Sequence, residues 1–238
     1  MTKQVFIRYE EKYLITDKQK KQLLSKIKNY ITYDDYCNND SEYSVYNIYF
    51  DTENDDIIRE SLQKPVFKEK LRLRCYDIPK ENKNPVFLEM KSKYRGLINK
   101  RRVTITYGEV KDYFNFHQIP LFDIDSKSWQ IMKEIDNYCK LKPIKPNYSI
   151  SYHRLALQDK SSGMIRLTFD HDILYKKVSF DSFDYTGNRL FDKDLWLFEI
   201  KSPQNYPLWL VSALTELNIR DISFSKYGKA YQNERTGA

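Results

Sequence analysis

The stretch Phe67–Tyr76, FKEKLRLRCY, decides how this chain of 238 residues reads. Lys70, Arg72 and Arg74 stand two apart, with Leu71 and Leu73 between them. In an extended strand, residues two apart share a face and lie roughly 7 Å apart along the chain, so cations line one side and leucines the other. Working outward, the same alternation recurs. Arg8, Glu10 and Lys12 share a face against Ile7 and Tyr9; Glu89, Lys91 and Lys93 stand against Leu88 and Met90; Lys100 and Arg102 pair likewise. Later come Tyr152 and Arg154 against Leu155, Arg166, Thr168 and Asp170 against Leu167 and Phe169, and Glu199 and Lys201 against Phe198 and Ile200.

One such strand is an ordinary half-exposed sheet face turned to water. Six or seven of them are not, because a solvated face is normally mixed with Ser, Thr, Asn and Gln, whereas these carry mainly Arg and Lys with a few carboxylates. The spacing predicts strands over Val5–Ile15, Tyr43–Phe50, Phe67–Tyr76, Val86–Lys93, Lys100–Tyr107, Asn147–Leu157, Met164–Phe180 and Leu195–Lys201. Helical patterns interrupt them at Asp17–Ile31, Glu53–Leu62, Glu109–Phe116, Lys127–Cys139 and Leu208–Leu217, the first opened by Thr16 and Gln19 at capping-box spacing. The expected fold is α+β, an antiparallel eight-stranded β-barrel with helices packed outside on the apolar alternates. Its ionic faces would then converge on the lumen. Converging cations cost several kcal/mol each to desolvate unless an anion compensates them, which points to a polyanionic ligand. Phosphate suits Arg best, through bidentate charge-assisted hydrogen bonds. The carboxylates Glu10, Glu89, Asp170 and Glu199 then read as metal ligands or as spacers between cations, since Mg²⁺ and Mn²⁺ prefer hard oxygen donors shared with phosphate.

Composition agrees with this class. Lys and Arg outnumber Asp and Glu by 40 to 33, which permits an anionic partner without identifying one. Cys37, Cys75 and Cys139 are scattered and free of CxxC spacing, so neither a disulfide framework nor a zinc site is indicated. No stretch approaches a membrane span, and the N-terminus enters charged sequence at once, so the expected location is cytoplasmic. No linker or repeat divides the chain; the expectation is a single domain over 1–231 and a flexible tail over 232–238. The tyrosines are dispersed through expected strands, where they pack, so nucleic acid is not the expected partner.

In this order, RYEEKYLI from Arg8, KLRLR from Lys70, FLEMKSKYRG from Phe87, SYHRLA from Ser151, RLTFD from Arg166, LFEIKSP from Leu197 and FSKYGKAY from Phe224 resemble the VTC (vacuolar transporter chaperone) polyphosphate polymerase domain. That family is a branch of the triphosphate tunnel metalloenzymes, which include CYTH proteins, and the resemblance spans nearly the whole chain. It implies an eight-stranded tunnel in which ATP or another NTP donates its γ-phosphate to a growing polyphosphate chain, with Mn²⁺ or Mg²⁺ as cofactor. It implies phosphate contacts from Lys12, Arg72, Arg74, Lys91, Arg154 and Arg166, with Tyr152 as a further one, and Glu199 as the principal metal ligand. Ser225 and Lys226 would contact phosphate at the tunnel end. Arg72, Arg74, Lys226 and Glu199 form the expected catalytic set, and Lys70, Arg102 and Lys201, on the same ionic faces, join the phosphate-binding one. The first strand departs from the Glu-x-Glu-x-Lys signature of CYTH-type triphosphatases: Arg8 takes the first Glu position while Glu10 and Lys12 remain. A cation in place of a metal ligand favours a longer phosphate chain. The expected ligands are ATP or another NTP with polyphosphate, pyrophosphate or triphosphate, and two other readings stay open, an inorganic or nucleoside triphosphatase of the same tunnel fold and a non-catalytic polyphosphate- or nucleotide-binding module. No SPX-like region or membrane segment is apparent, so regulation and polymer export are expected of other proteins, including a membrane-protein partner.

Overall fold

A computed structural model describes residues 9–34, 37, 42–95, 97–123, 126–178, 185–203 and 205–237. Among the described residues, ten strands and six helices follow one another as β1 (Tyr9–Thr16), α1 (Asp17–Ile27), β2 (Ile31–Tyr33), β3 (Tyr43–Asp51), α2 (Asp56–Leu62), β4 (Phe67–Cys75), β5 (Pro85–Tyr94), β6 (Leu97–Thr106), α3 (Tyr107–Phe116), α4 (Lys127–Leu141), β7 (Lys145–Asp159), β8 (Arg166–Lys177), β9 (Asn188–Arg189), β10 (Leu195–Ser202), α5 (Leu208–Glu216) and α6 (Lys226–Thr236). The eight long strands are the eight expected. They form one hydrogen-bonded path, β1-β10-β8-β7-β3-β4-β5-β6, with β2 on β7 and β9 on β8. Its ends, β1 and β6, are not joined by strand hydrogen bonds among the described residues. Arg8 and the start of the expected first strand lie outside the described residues.

The chain forms two compact units. Unit one comprises Met1–Ser44, Tyr152–Ile173 and Arg189–Ser225. Its core joins Tyr13 and Ile15 of β1, Leu23 and Ile27 of α1, Phe169 of β8, Phe198 and Ile200 of β10 and Leu210 and Leu214 of α5. Unit two comprises Val45–Ser151, Leu174–Asn188 and Lys226–Ala238. There Leu71 and Leu73 of β4, Leu88 of β5 and Val103 and Ile105 of β6 pack against Val110 of α3 and Ile131, Met132 and Ile135 of α4. In both, the apolar alternates of the strands meet helices, which leaves the other sheet face to the charges.

Local signals set several boundaries. Thr16 and Gln19 form the expected capping box on α1, and Thr106 and Glu109 form a second on α3, which therefore starts at Tyr107 and not at Glu109. Helix α1 stops at Ile27, four residues short of expectation, because Ile31 is drawn into β2 opposite Asp159. Helix α2 begins at Asp56 and not at Glu53: the Asp51 carboxylate accepts from the Ile57 and Ile58 amides at 2.8 and 2.9 Å and fixes the first turn from the strand before it. Helix α6 runs on through Thr236, with Asn233 buried. No described helix is long and apolar enough to cross a membrane.

Asp159 ends β7 and gathers the following turn, accepting from the Ser161 hydroxyl at 2.7 Å and the Ser162 and Ile165 amides at 2.8 Å each. Burial acts to raise its carboxyl, but these bonds to the ionised form prevail and lower it from 3.8 to about 2. A folded value below the unfolded one means that the stabilisation is complete above the unfolded value and is lost as pH falls through the folded one. Asp159→Asn should therefore lower the melting temperature at neutral pH, and the gap from the parent should close near pH 2. A gap that persists undiminished there would show that the ionised carboxylate is not its source.

Candidate phosphate-binding faces

In unit two, register decides what the charges meet. Lys70 lies opposite Lys91, and Lys91 opposite Lys100, so three lysines form a row across β4, β5 and β6. Like charges directly opposed on one face are destabilising. The neighbouring row is Arg72–Glu89–Arg102 and the next is Arg74–Phe87–Thr104, so these rows hold six cations and one carboxylate. Glu89 is buried among them. One of its oxygens accepts from Arg72 Nε at 3.1 Å, and the other from Arg102 Nε at 2.6 Å while pairing with Lys100 Nζ at 2.6 Å. Burial would raise the Glu89 carboxyl, but the Arg72, Arg74 and Lys100 charges outweigh it and hold it far below the usual carboxylate range. Desolvation on this crowded face, with the Arg72 charge beside it, pushes the Lys100 ammonium down to about 7 against the pull of Glu89. Solvent still reaches 41% of that side chain and tempers the shift.

The arginines are fixed in place. Arg74 is buried and donates from Nε to Asn47 Oδ1 at 2.9 Å, while Asn47 donates to the Ile150 carbonyl at 2.9 Å. Arg72 donates to the Tyr49 hydroxyl at 3.2 Å, and Arg102 lies over the Phe87 ring at 4.5 Å. Tyr227, beside Lys226 at the start of α6, donates its hydroxyl proton to Asp51 at 2.6 Å, stacks on Tyr49 at 4.8 Å and lies under the Lys70 ammonium at 5.4 Å. Its anchorage sets the first turn of α6 and with it the half-buried Lys226.

In unit one, Glu10 stands opposite Lys201 and Lys12 opposite Glu199 across β1 and β10, and β8 places Thr168 opposite Glu199 and Arg166 opposite Lys201. Ion pairs run along the strands too, Lys12 to Glu10 at 3.1 Å and Lys201 to Glu199 at 2.9 Å. The Lys12 ammonium also donates to the Phe224 carbonyl at 3.2 Å, and the Ile222 amide donates to the Lys12 carbonyl at 2.7 Å, which ties the segment carrying Ser225 to β1. Ser225 itself is exposed, as is Arg166. Arg154 lies over the Tyr152 ring at 5.1 Å and grips the fully buried Asp170 with both prongs, Nε to Oδ1 at 2.6 Å and Nη2 to Oδ2 at 2.8 Å. Burial works against the Arg154 charge, but Asp170 first, then Tyr152 and Glu199, hold it firmly protonated.

The expected residues thus fall into two sets, one per unit. Glu89 and Asp170, which sequence left as metal ligands or spacers, stand as counter-ions: Asp170 gives both oxygens to Arg154, and Glu89 sits among three cations. Glu10 and Glu199 are each paired with a lysine, Lys12 and Lys201. No group of three or more Asp, Glu, His or Cys side chains suited to a metal occurs among the described residues. Two diagonal carboxylates fit a hard cation that takes the rest of its shell from phosphate oxygens and water, as Mg²⁺-type sites do. The Thr168 hydroxyl, opposite Glu199, is buried with no hydrogen-bond partner among the described residues, which marks a polar ligand's place. Sequence reasoning missed Thr168, Asn47, Tyr49 and Tyr227 as site residues and left Lys100 out of the set, although its parity with Arg102 was a readable signal.

A profile of the VTC domain matches residues 7–234. Comparison with curated proteins gives no match. Among solved structures, a Bacillus halodurans protein described as a candidate adenylate cyclase is 15% identical, with a TM-score of 0.51 over 94% of this chain and 96% of its own. A Hippeastrum protein, described as a candidate adenylyl cyclase with a dominant triphosphatase activity, is 14% identical, with a TM-score of 0.52 over 94% of this chain and 95% of its own. At such identity they show a shared fold. Matched over almost its entire length, the chain belongs to the VTC domain family.

Proposed function

We propose that this protein is a polyphosphate polymerase that moves the γ-phosphate of ATP or another NTP onto a growing polyphosphate chain. The observation that carries this reading is the six cations set against one carboxylate in three adjacent rows of the β4–β6 face. Three adjacent strands span about 10 Å and successive same-face rows lie about 7 Å apart, an area suited to several linked phosphates and wider than one phosphoryl group needs. Converging cations of this kind keep their charge at low cost only with a polyanion between them.

Phosphoryl transfer asks mainly for positioning and for neutralisation of charge on the group in transit. A terminal oxygen of the acceptor chain attacks the γ-phosphorus in line, the bond to the β–γ bridging oxygen breaks, and the nucleoside diphosphate leaves with that oxygen. Arg72 and Arg74, held by Glu89 and Asn47, present fixed donors to phosphate oxygens. Lys70, Lys91, Lys100 and Arg102 supply countercharge to the chain on the same face, and Lys226 adds a cation from the start of α6. In unit one, Lys12, Lys201, Arg154 and Arg166 do the same, with Tyr152 and Ser225 beside them. Mn²⁺ or Mg²⁺ held by Glu199, with Glu10, would neutralise charge on the phosphates it shares. Glu199→Gln should therefore weaken Mn²⁺ binding in the presence of triphosphate and lower turnover about a hundredfold; unaltered binding would remove Glu199 from the metal site.

The same residues serve a triphosphatase when water replaces the acceptor chain, and the activity described for the Hippeastrum protein favours keeping that second reading. Purified protein supplied with ATP and Mn²⁺ separates the readings. Polymer is the expected product; free phosphate alone means a triphosphatase, and binding of polyphosphate without turnover means a binding module. We further infer a cytoplasmic reaction, where ATP is available, within the single functional domain over 1–231, with a membrane-protein partner needed for any export of the product.

A further inference from the structure

The far end of β4, β5 and β6 carries side chains that the phosphate reading does not use. Phe67 lies opposite Tyr94, and Tyr94 opposite Leu97, so the three form a line across the strands on one sheet face. On that face a polar row, Glu69, Ser92 and Asn99, comes next, and the buried Leu71 and Met90 and then Leu73, Leu88 and Val103 follow it. At this end the apolar side chains are uncovered: Val66 is 63% exposed, Phe67 and Tyr94 are each 49% exposed, and Leu97 is 46% exposed. The Arg95 amide donates to the Val66 carbonyl at 3.0 Å, tying the turn after β5 to the start of β4, and the Arg95 guanidinium lies over the Tyr94 ring at 5.4 Å. Outside the phosphate-binding set, residues 64–70 and 91–102 hold Lys64, Lys68, Lys93, Arg95 and Arg101 against the single acid Glu69. Of these cations, Lys64, Lys93 and Arg95 are exposed at the same end.

Scattered exposed apolar residues need no explanation, but a contiguous row framed by cations marks an interaction site. A polyanion would meet only the cations. An acidic protein surface would leave the apolar row to find an apolar counterpart of its own. An anionic bilayer answers both at once: apolar side chains enter the boundary between headgroups and acyl chains, Tyr suits that boundary, and Lys and Arg are drawn to the negative surface. We propose that this strand-end patch docks the protein on an anionic lipid surface. The apolar row stands apart from the phosphoryl-transfer reading, since it lies on the sheet face opposite Lys70, Lys91 and Lys100, while Lys93 borders that ionic face.

Flotation of the full chain with phosphatidylcholine vesicles, with and without phosphatidylserine, tests it; saturating inorganic triphosphate is added to occupy the phosphate-binding cations. Binding is expected only to vesicles with phosphatidylserine, to weaken with salt, and to fall roughly tenfold in Phe67→Ser/Tyr94→Ser with an unchanged melting temperature. The indole introduced by Phe67→Trp should shift its emission to the blue when those vesicles are added. Absence of binding, equal binding by the double variant, binding independent of phosphatidylserine, or binding abolished by triphosphate would each overturn the proposal, the last by assigning the lipid contact to the phosphate face.

Discussion

Arg72→Ala is expected to lower nucleotide turnover between about a hundredfold and a thousandfold, the loss found when one preorganised donor to a developing charge is removed. The fold should tolerate the change. Glu89 would keep Arg102 and Lys100 as partners, so no buried carboxylate is left uncompensated. Arg72→Lys should recover only part of the rate, because an ammonium restores the charge without the planar fork that the Glu89 and Tyr49 contacts hold in orientation. Steady-state rates with ATP and Mn²⁺, read beside thermal melts, check both variants. Full activity in Arg72→Ala would remove the β4 face from the reaction.

Asp170→Ala should act in the opposite sense, on stability first. Arg154 is buried and both of its bonds to Asp170 would vanish, leaving a guanidinium without countercharge in the interior of unit one. Breaking a buried pair from one side costs about 3 to 5 kcal/mol, which for a chain of this size lowers the melting temperature by about 10 °C. Replacing both partners, Arg154→Leu with Asp170→Leu, should recover most of that loss, since the desolvation penalty disappears with the charges. The double variant would regain stability without regaining a phosphate contact. A loss below about 1 kcal/mol in Asp170→Ala would mean that the ion pair is far more solvated than its burial implies.

Both expectations express one tension. The β4–β6 face concentrates like charge at a cost to the unliganded protein, and the structure offsets only part of it through Glu89. Unit one offsets more completely: Lys12 with Glu10, Lys201 with Glu199 and Arg154 with Asp170 are matched one to one. Phosphate should therefore raise the melting temperature of the protein by adding to a face that lacks anions.

The alternation in FKEKLRLRCY was enough to assign strands and to put Lys70, Arg72 and Arg74 on one face, because the pleat has a period of two whatever the strand pairs with. Capping boxes were equally local: Thr16 with Gln19 and Thr106 with Glu109 both stand in the sequence, although only the first was read from it. The strand order β1-β10-β8-β7-β3-β4-β5-β6 was not legible, nor was the register that sets Lys70, Lys91 and Lys100 in one row and encloses Glu89 between two arginines. The same holds for Ile31 pairing with Asp159 in place of extending its helix, for Asp51 capping α2, and for Asp170 pairing with Arg154. A residue's face follows from its own backbone, whereas its partner follows from which distant strand is hydrogen-bonded beside it, and that choice belongs to the packing of the whole chain.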